Sequence, residues 1–192
     1  EELFAKNSED LRYNLDLANW YLQTKQVAAA TKIIENLKQL KDQPVPSLDL
    51  LEGLLNTYKN KPHKALKLFK EAEKANPRLP GLHLELGKIY LQTRRYKDAE
   101  GAFLKALDID DGNAAAYHGL GISYLRQVKY EQAAHEALNA IGLMYHFPPA
   151  HYHLGEALFM LEKYVESSQA FEVALSMMPR LNKARRWLVK IY

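Results

Sequence analysis

The chain has 192 residues, 47% hydrophobic and 26% charged, with a formal net charge of +3 and no cysteine. That excludes disulfides, cysteine-ligated zinc and thiol catalysis. The lack of any apolar run of about 18 residues excludes a membrane-spanning helix, and so mild a charge does not by itself point to nucleic acid.

The chain opens at Glu1 without Met or a leader pattern, which reads as a fragment or processed chain whose targeting signal is missing; its location is therefore open, with a soluble, cytoplasmic one favoured. Residues 1–10 read as the end of a preceding helix or a linker. From residue 11 the sequence repeats. Gly53, Gly87, Gly121 and Gly155 recur every 34 residues, as do Ala65, Ala99, Ala133 and Ser167, and Ala72, Ala106, Ala140 and Ala174. Phe69, Phe103 and Phe171 keep the interval, with Ala137 in the third slot.

Within a unit the spacing is helical. Leu86, Gly87 and Tyr90 share one stripe, and Ala99, Phe103 and Ala106 another. Each unit therefore predicts two helices joined by a tight turn such as Thr93–Arg95, with tiny residues on one helix admitting aromatics from its neighbour. The units fall at 11–45, 46–79, 80–113, 114–147 and 148–181, and 182–192 forms a partial repeat or capping helix. The first unit is degenerate and carries an extra residue near Pro44–Pro46. The second matches worst, with Glu52, Asn56 and Pro62 in slots held elsewhere by Leu, an aromatic and Tyr. Pro46, Pro80 and Pro148 are expected to open first helices, where a missing N–H costs nothing, and Pro77 and Pro179 to close second ones.

The stretches "LELGKIYLQTRRYKDAEGAFLKALDID" and "HGLGISYLRQVKYEQAAHEALNA" carry a motif that resembles the tetratricopeptide repeat, and the resemblance covers residues 11–192. It implies an all-α fold, a right-handed superhelix of antiparallel helix–turn–helix repeats (an α-solenoid), and a protein-binding scaffold. The family's usual turn glycine is absent here: Lys25, Asn60, Arg94, Val128 and Glu162 stand in its place.

Stacked units of this kind present their first helices on a concave face. The places expected to line it include Lys88, Gln92, His118, Arg126, Tyr152, His153, Glu156, Met160 and Arg186, which are the ligand-groove candidates. Leu15, Asn19, Leu50, Leu54 and Tyr58 hold comparable places nearer the N-terminus. Such a lining suits a peptide or partner segment with apolar anchors. Some members of the family grasp an acidic C-terminal tail with matched Lys, Asn and Arg side chains. Leu15, Leu51, Gly81 and Glu85 occupy the places where that set is needed, which argues against it.

The stretch "YHFPPAHYHLGEAL" at 145–158 gathers three histidines, but His151 and His153 diverge by about 200° around a helix axis. HExxH is absent, so no metal site and no cofactor is expected. His151 shares a slot with His83 and Tyr117, one that packs on the preceding unit. No nucleophile elbow or phosphate loop is present, so the chain is not expected to be an enzyme, and the apolar places Leu15, Leu50 and Leu84 argue against base reading in RNA. An alternative reading is an accessory module of a larger multidomain enzyme, because the fifth unit also resembles repeat tails behind alkaline-phosphatase-superfamily hydrolase domains; any catalytic domain then lies outside this chain. Two basic features stand out as possible contacts for an acidic partner. One is a ridge of turn residues (Lys25, Lys59, Lys61, Arg94, Arg95, Lys97, Lys129, Lys163), and the other is the C-terminal set Arg180, Lys183, Arg185, Arg186 and Lys190.

Overall fold

The computed structural model of the chain describes residues 11–39 and 45–192. Residues 1–10 and Pro44, on which two of the readings above fall, lie outside them. The described residues form eleven α-helices and no strand. In chain order these are α1 (Leu11–Gln23), α2 (Val27–Gln39), α3 (Pro46–Tyr58), α4 (Pro62–Ala75), α5 (Leu82–Gln92), α6 (Tyr96–Ile109), α7 (Ala114–Arg126), α8 (Tyr130–Leu143), α9 (Pro148–Met160), α10 (Tyr164–Met177) and α11 (Asn182–Ile191). The helices form two compact units, one ending at Ile89 and the other beginning at Tyr90.

Five three-residue turns join the helices of each pair, and all five share one geometry. The middle residue is left-handed: Lys25 at φ 60, Asn60 at φ 54, Arg94 at φ 58, Val128 at φ 64 and Glu162 at φ 62. The next residue closes the turn by donating its N–H five residues back. Gln26 donates to Tyr21 O at 2.8 Å, Lys61 to Asn56 O at 2.8 Å, Arg95 to Tyr90 O at 2.8 Å, Lys129 to Tyr124 O at 3.0 Å and Lys163 to Leu158 O at 3.0 Å. This is the Schellman closure, normally built on glycine, and here it forms five times without one.

In the N-terminal unit the core is aliphatic. Ala18, Leu22, Ala30, Ile33, Ile34, Leu37, Leu48, Leu51 and Leu55 make one buried cluster from α1, α2 and α3. Gly53 of α3 faces Phe69 of α4 so closely that a Cβ would stand 2.2 Å from the ring, so the poorly matching second repeat keeps the small-against-aromatic joint. Pro46 and Pro62 occupy first-turn positions of α3 and α4. Pro80 departs from expectation. Gly81 adopts φ 78, a left-handed step that no helix accepts, so α5 starts at Leu82, whose N–H turns back to Leu79 O at 3.2 Å.

In the C-terminal unit the joints alternate. A Cβ on Gly155 would lie 2.7 Å from the ring of Phe171, and one on Gly119 would lie 2.3 Å from Phe103. The nearest atoms to a Cβ on Gly121 are Ala133 O, at 3.3 Å, Glu136 Cβ and the Ala137 backbone, with no ring among them, because Ala137 holds the slot that Phe fills elsewhere. Ser167 donates to Gly155 O at 2.8 Å across the α9–α10 pair, and Asn113 caps α7 by accepting from Ala116 N at 3.0 Å. A second cluster closes this unit: Tyr152, Phe171, Ala174 and Ala184, with Trp187, Leu188 and Ile191 of α11 packed on it.

Candidate functional site

The first helices of the N-terminal unit leave a groove of about 800 Å³ between α1 and α3. Leu11, Leu15 and Asn19 come from α1, Leu50, Leu51 and Leu54 from α3, and Glu85 and Gly81 lie at its end. Their spacing explains the groove. Leu15 and Asn19 lie one turn apart on α1, as Leu50 and Leu54 do on α3, while Ala18, Leu22 and Leu55 point into the core behind them. Leu15, Leu50 and Leu54 are only partly buried, which leaves apolar surface facing outward.

In the C-terminal unit the corresponding face is polar. His118 of α7 and His153 of α9 meet ring to ring, Nε2 to Nδ1 at 2.8 Å, and Nδ1 of His153 also lies 2.9 Å from Pro149 O. Two protonated nitrogens at that distance repel, so one of the two rings supplies a lone pair at the contact and is neutral. Burial, the largest cause in each case, lowers the His118 pKa to about 4 and the His153 pKa to about 3. For His153 the neighbouring His118, Arg126 and Lys183 push the same way, against the Pro149 carbonyl.

Glu156, one turn on from Tyr152, is 8% exposed. Its Oε2 has no hydrogen-bond partner and lies 3.7 Å from His153 Nε2. Burial raises its pKa, and Arg126, Tyr152 and Lys183 work against that rise. Tyr152 is 9% exposed and accepts a hydrogen bond from Trp187 Nε1 at 3.2 Å. Around this floor Arg126 of α7, Met160 of α9 and Arg186 of α11 are exposed.

Among the candidates read from sequence, His118, Arg126, Tyr152, His153 and Glu156 thus gather in one place. Tyr152 is a core residue of the α9–α10–α11 cluster rather than an open groove side chain. Lys88 is exposed on α5 and paired with Glu85 Oε1 at 2.6 Å, and Gln92 is exposed at the end of the same helix. His151 stands apart from the site: its ring lies 2.9 Å from Tyr145 O, just as His83 lies 2.6 Å from Pro77 O. The slot they share holds the carbonyl of the linker six residues back. Sequence reasoning missed Trp187 and Phe147, whose ring is 4.8 Å from His118, and it named Lys183 only as part of the C-terminal basic set. Trp187 lies one 34-residue period beyond His153, and that periodicity alone could have located it. No group of three metal-ligating side chains occurs among the described residues.

The paired helices, their glycine–phenylalanine joints and the closing turns recur at the period of one known repeat, and its family model matches residues 50–114 and 118–181. The chain belongs to the tetratricopeptide repeat family. Solved structures agree with the tetratricopeptide repeat fold. PilF of Pseudomonas aeruginosa superposes with a TM-score of 0.84 at 15% identity, over 97% of this chain and 84% of that one. The crystal structure of MamA gives a TM-score of 0.68 at 25% identity, over 73% and 82%. The first such repeat domain of Spaghetti (RPAP3), bound to the HSP90 peptide SRMEEVD, gives 0.56 at 26% identity, over 57% and 87%. No curated protein matches the chain. None of the helices among the described residues is long and apolar enough to cross a membrane.

Proposed function

We propose that this tetratricopeptide repeat chain is a non-catalytic scaffold whose first-helix faces bind a peptide or a segment of a partner protein. The observation that carries the reading is the leucine groove of the N-terminal unit that the described residues leave open, lined by Leu15, Leu50 and Leu54. A folded chain normally buries such side chains, and a contiguous apolar recess with a few polar groups at its rim is a common form of peptide site. The repeat domain of Spaghetti holds a peptide, and this supports the same class of ligand here. The polar floor around Glu156 adds a second kind of surface, because a buried carboxylate oxygen without a donor is costly unless a donor arrives.

Selection of a displayed 12-residue peptide library on the purified chain tests the proposal. The expected outcome is enrichment of peptides with spaced apolar residues, lost on a Leu50→Gln/Leu54→Gln variant whose helical circular dichroism is unchanged. Enrichment that is equal on both proteins, or absent, refutes binding in this groove.

A further inference from the structure

We propose that the first-helix face of the C-terminal unit receives an acidic segment of a partner protein, seated on Lys183, Arg186 and Lys190 of α11 with Arg126 of α7 at its edge. This rests on the reading of first-helix faces as partner-binding faces, and it adds the chemistry of what binds at this end.

The first observation is where the charge lies. Residues 180–192 hold five of the 26 basic side chains and none of the 23 acidic ones, so this short segment carries more positive charge than the whole chain, whose net value is +3. The second is the helical register. Lys183, Arg186 and Lys190 stand at i, i+3 and i+7, within about 60° of one another. Ala184 is buried and Trp187, Leu188 and Ile191 pack inward on the core cluster, leaving the three cations exposed on α11. Arg185 points elsewhere, donating to Pro179 O at 2.6 Å and to Asn182 Oδ1 at 3.3 Å.

The third observation is that other cations are already engaged. Lys38 pairs with Glu52 at 2.8 Å, Arg95 with Asp98 at 2.8 Å and Lys129 with Glu100 at 3.1 Å, and the last two also lie over Tyr90 and Tyr124. The turn ridge is therefore partly spent inside its own repeats. Lys183 and Arg186 have no ion pair or hydrogen bond among the described residues, and Lys190 rests its ammonium 4.3 Å from the Trp187 ring. Glu156 is the carboxylate facing Arg126 and Lys183, and it is sunk below them. Glu172 of α10 accepts the Tyr192 hydroxyl at 3.1 Å.

The size of the stripe favours a peptide over other polyanions. From Lys183 to Lys190 the helix rises about 10 Å, the span of about three residues of extended chain. Nucleic acid binding draws on a longer track of phosphate contacts, and a membrane surface on a broader basic patch.

Trp187 supplies a reporter, because Trp20 is the other tryptophan and Trp20→Phe leaves Trp187 as the sole indole. In that background, two labelled 12-residue peptides of equal apolar content are titrated, one bearing Asp and Glu, the other Asn and Gln in their places. The expected result is that the acidic peptide binds at least about tenfold tighter at low salt and perturbs Trp187 emission. The preference is lost in Lys183→Gln/Arg186→Gln/Lys190→Gln, the sum of three modest exposed-charge contacts. Equal affinity for both peptides, or acidic-peptide affinity untouched by the triple variant, overturns the proposal and leaves the groove reading standing. So does tighter binding of a DNA hairpin or phosphatidylserine vesicles with the same loss in the variant. Failure of both peptides also overturns it, while the Leu50/Leu54 selection tests the groove reading separately.

Discussion

Trp187 Nε1 donates to the Tyr152 hydroxyl at 3.2 Å, tying the last helix to the one two before it. The indole also stacks on Phe171 at 6.1 Å and 5° and tilts against Phe159 at 4.7 Å. One aromatic cluster thus joins α9, α10 and α11. Tyr152→Ala is therefore expected to cost stability, about 3–5 kcal/mol by analogy with other buried aromatic truncations. Tyr152→Phe removes only the hydroxyl, with its contacts to Trp187 and Glu156, and should cost about 1 kcal/mol. Urea unfolding of both variants checks the ratio. A Tyr152→Ala variant as stable as the parent shows that the ring sits in an open groove.

The five turns give a second expectation. A β-branched residue is the worst occupant of a left-handed position, and Val128, 67% exposed, sits at φ 64. Val128→Gly should stabilise the chain by about 1 kcal/mol, visible as a raised urea midpoint with unchanged slope. A neutral or destabilising result means the valine side chain makes a contact that offsets its backbone strain.

Glycines should divide by what they face. Gly142 has nothing within 4 Å of an added Cβ, so Gly142→Ala should gain about 0.5–1 kcal/mol from helix propensity. Gly155→Ala forces its methyl onto Phe171 and should lose about 1–3 kcal/mol. Thermal melts of the two single variants moving in opposite directions are the check.

The histidine pair predicts acid sensitivity well above the carboxylate range. His118 and His153 titrate near 6.5 when unfolded but at about 4 and about 3 when folded. Between those values the unfolded chain binds more protons. Their contribution is therefore fully present above pH 6.5 and is lost as pH falls, by up to about 1.4 kcal/mol per pH unit for each ring. Glu156 works in the opposite sense: its raised pKa penalises the folded state at neutral pH and the penalty eases on acidification. Unfolding measured at pH 7, 6 and 5 should show a steep decline that is flatter in His118→Gln/His153→Gln. Parallel declines in the two proteins contradict the burial of the pair.

The fold was legible because it is written in small residues. Gly53 and Gly155 are dictated by aromatic rings that come within a methyl's width, so their spacing reports the helix crossings directly. Gly119 shows the limit: nothing about "GLG" says which glycine meets a phenylalanine, and Phe103 chooses Gly119. The site was legible in part. A 34-residue period aligns His118 with Tyr152 and hence brings it beside His153, but whether Tyr152 points to the groove or to the core depends on how Trp187 packs against it. The start of α5 escaped because Pro80 alone signals a helix, whereas the φ of Gly81 cancels it.

The five glycine-free turns have an engineering consequence. Each holds a side chain in a backbone state that favours glycine, and each belongs to a different helix pair. Changes at sites that share no partner combine almost independently. The array therefore keeps a reserve of several small, separable increments in thermal resistance, reachable at the exposed turn tips without touching the core or either first-helix face.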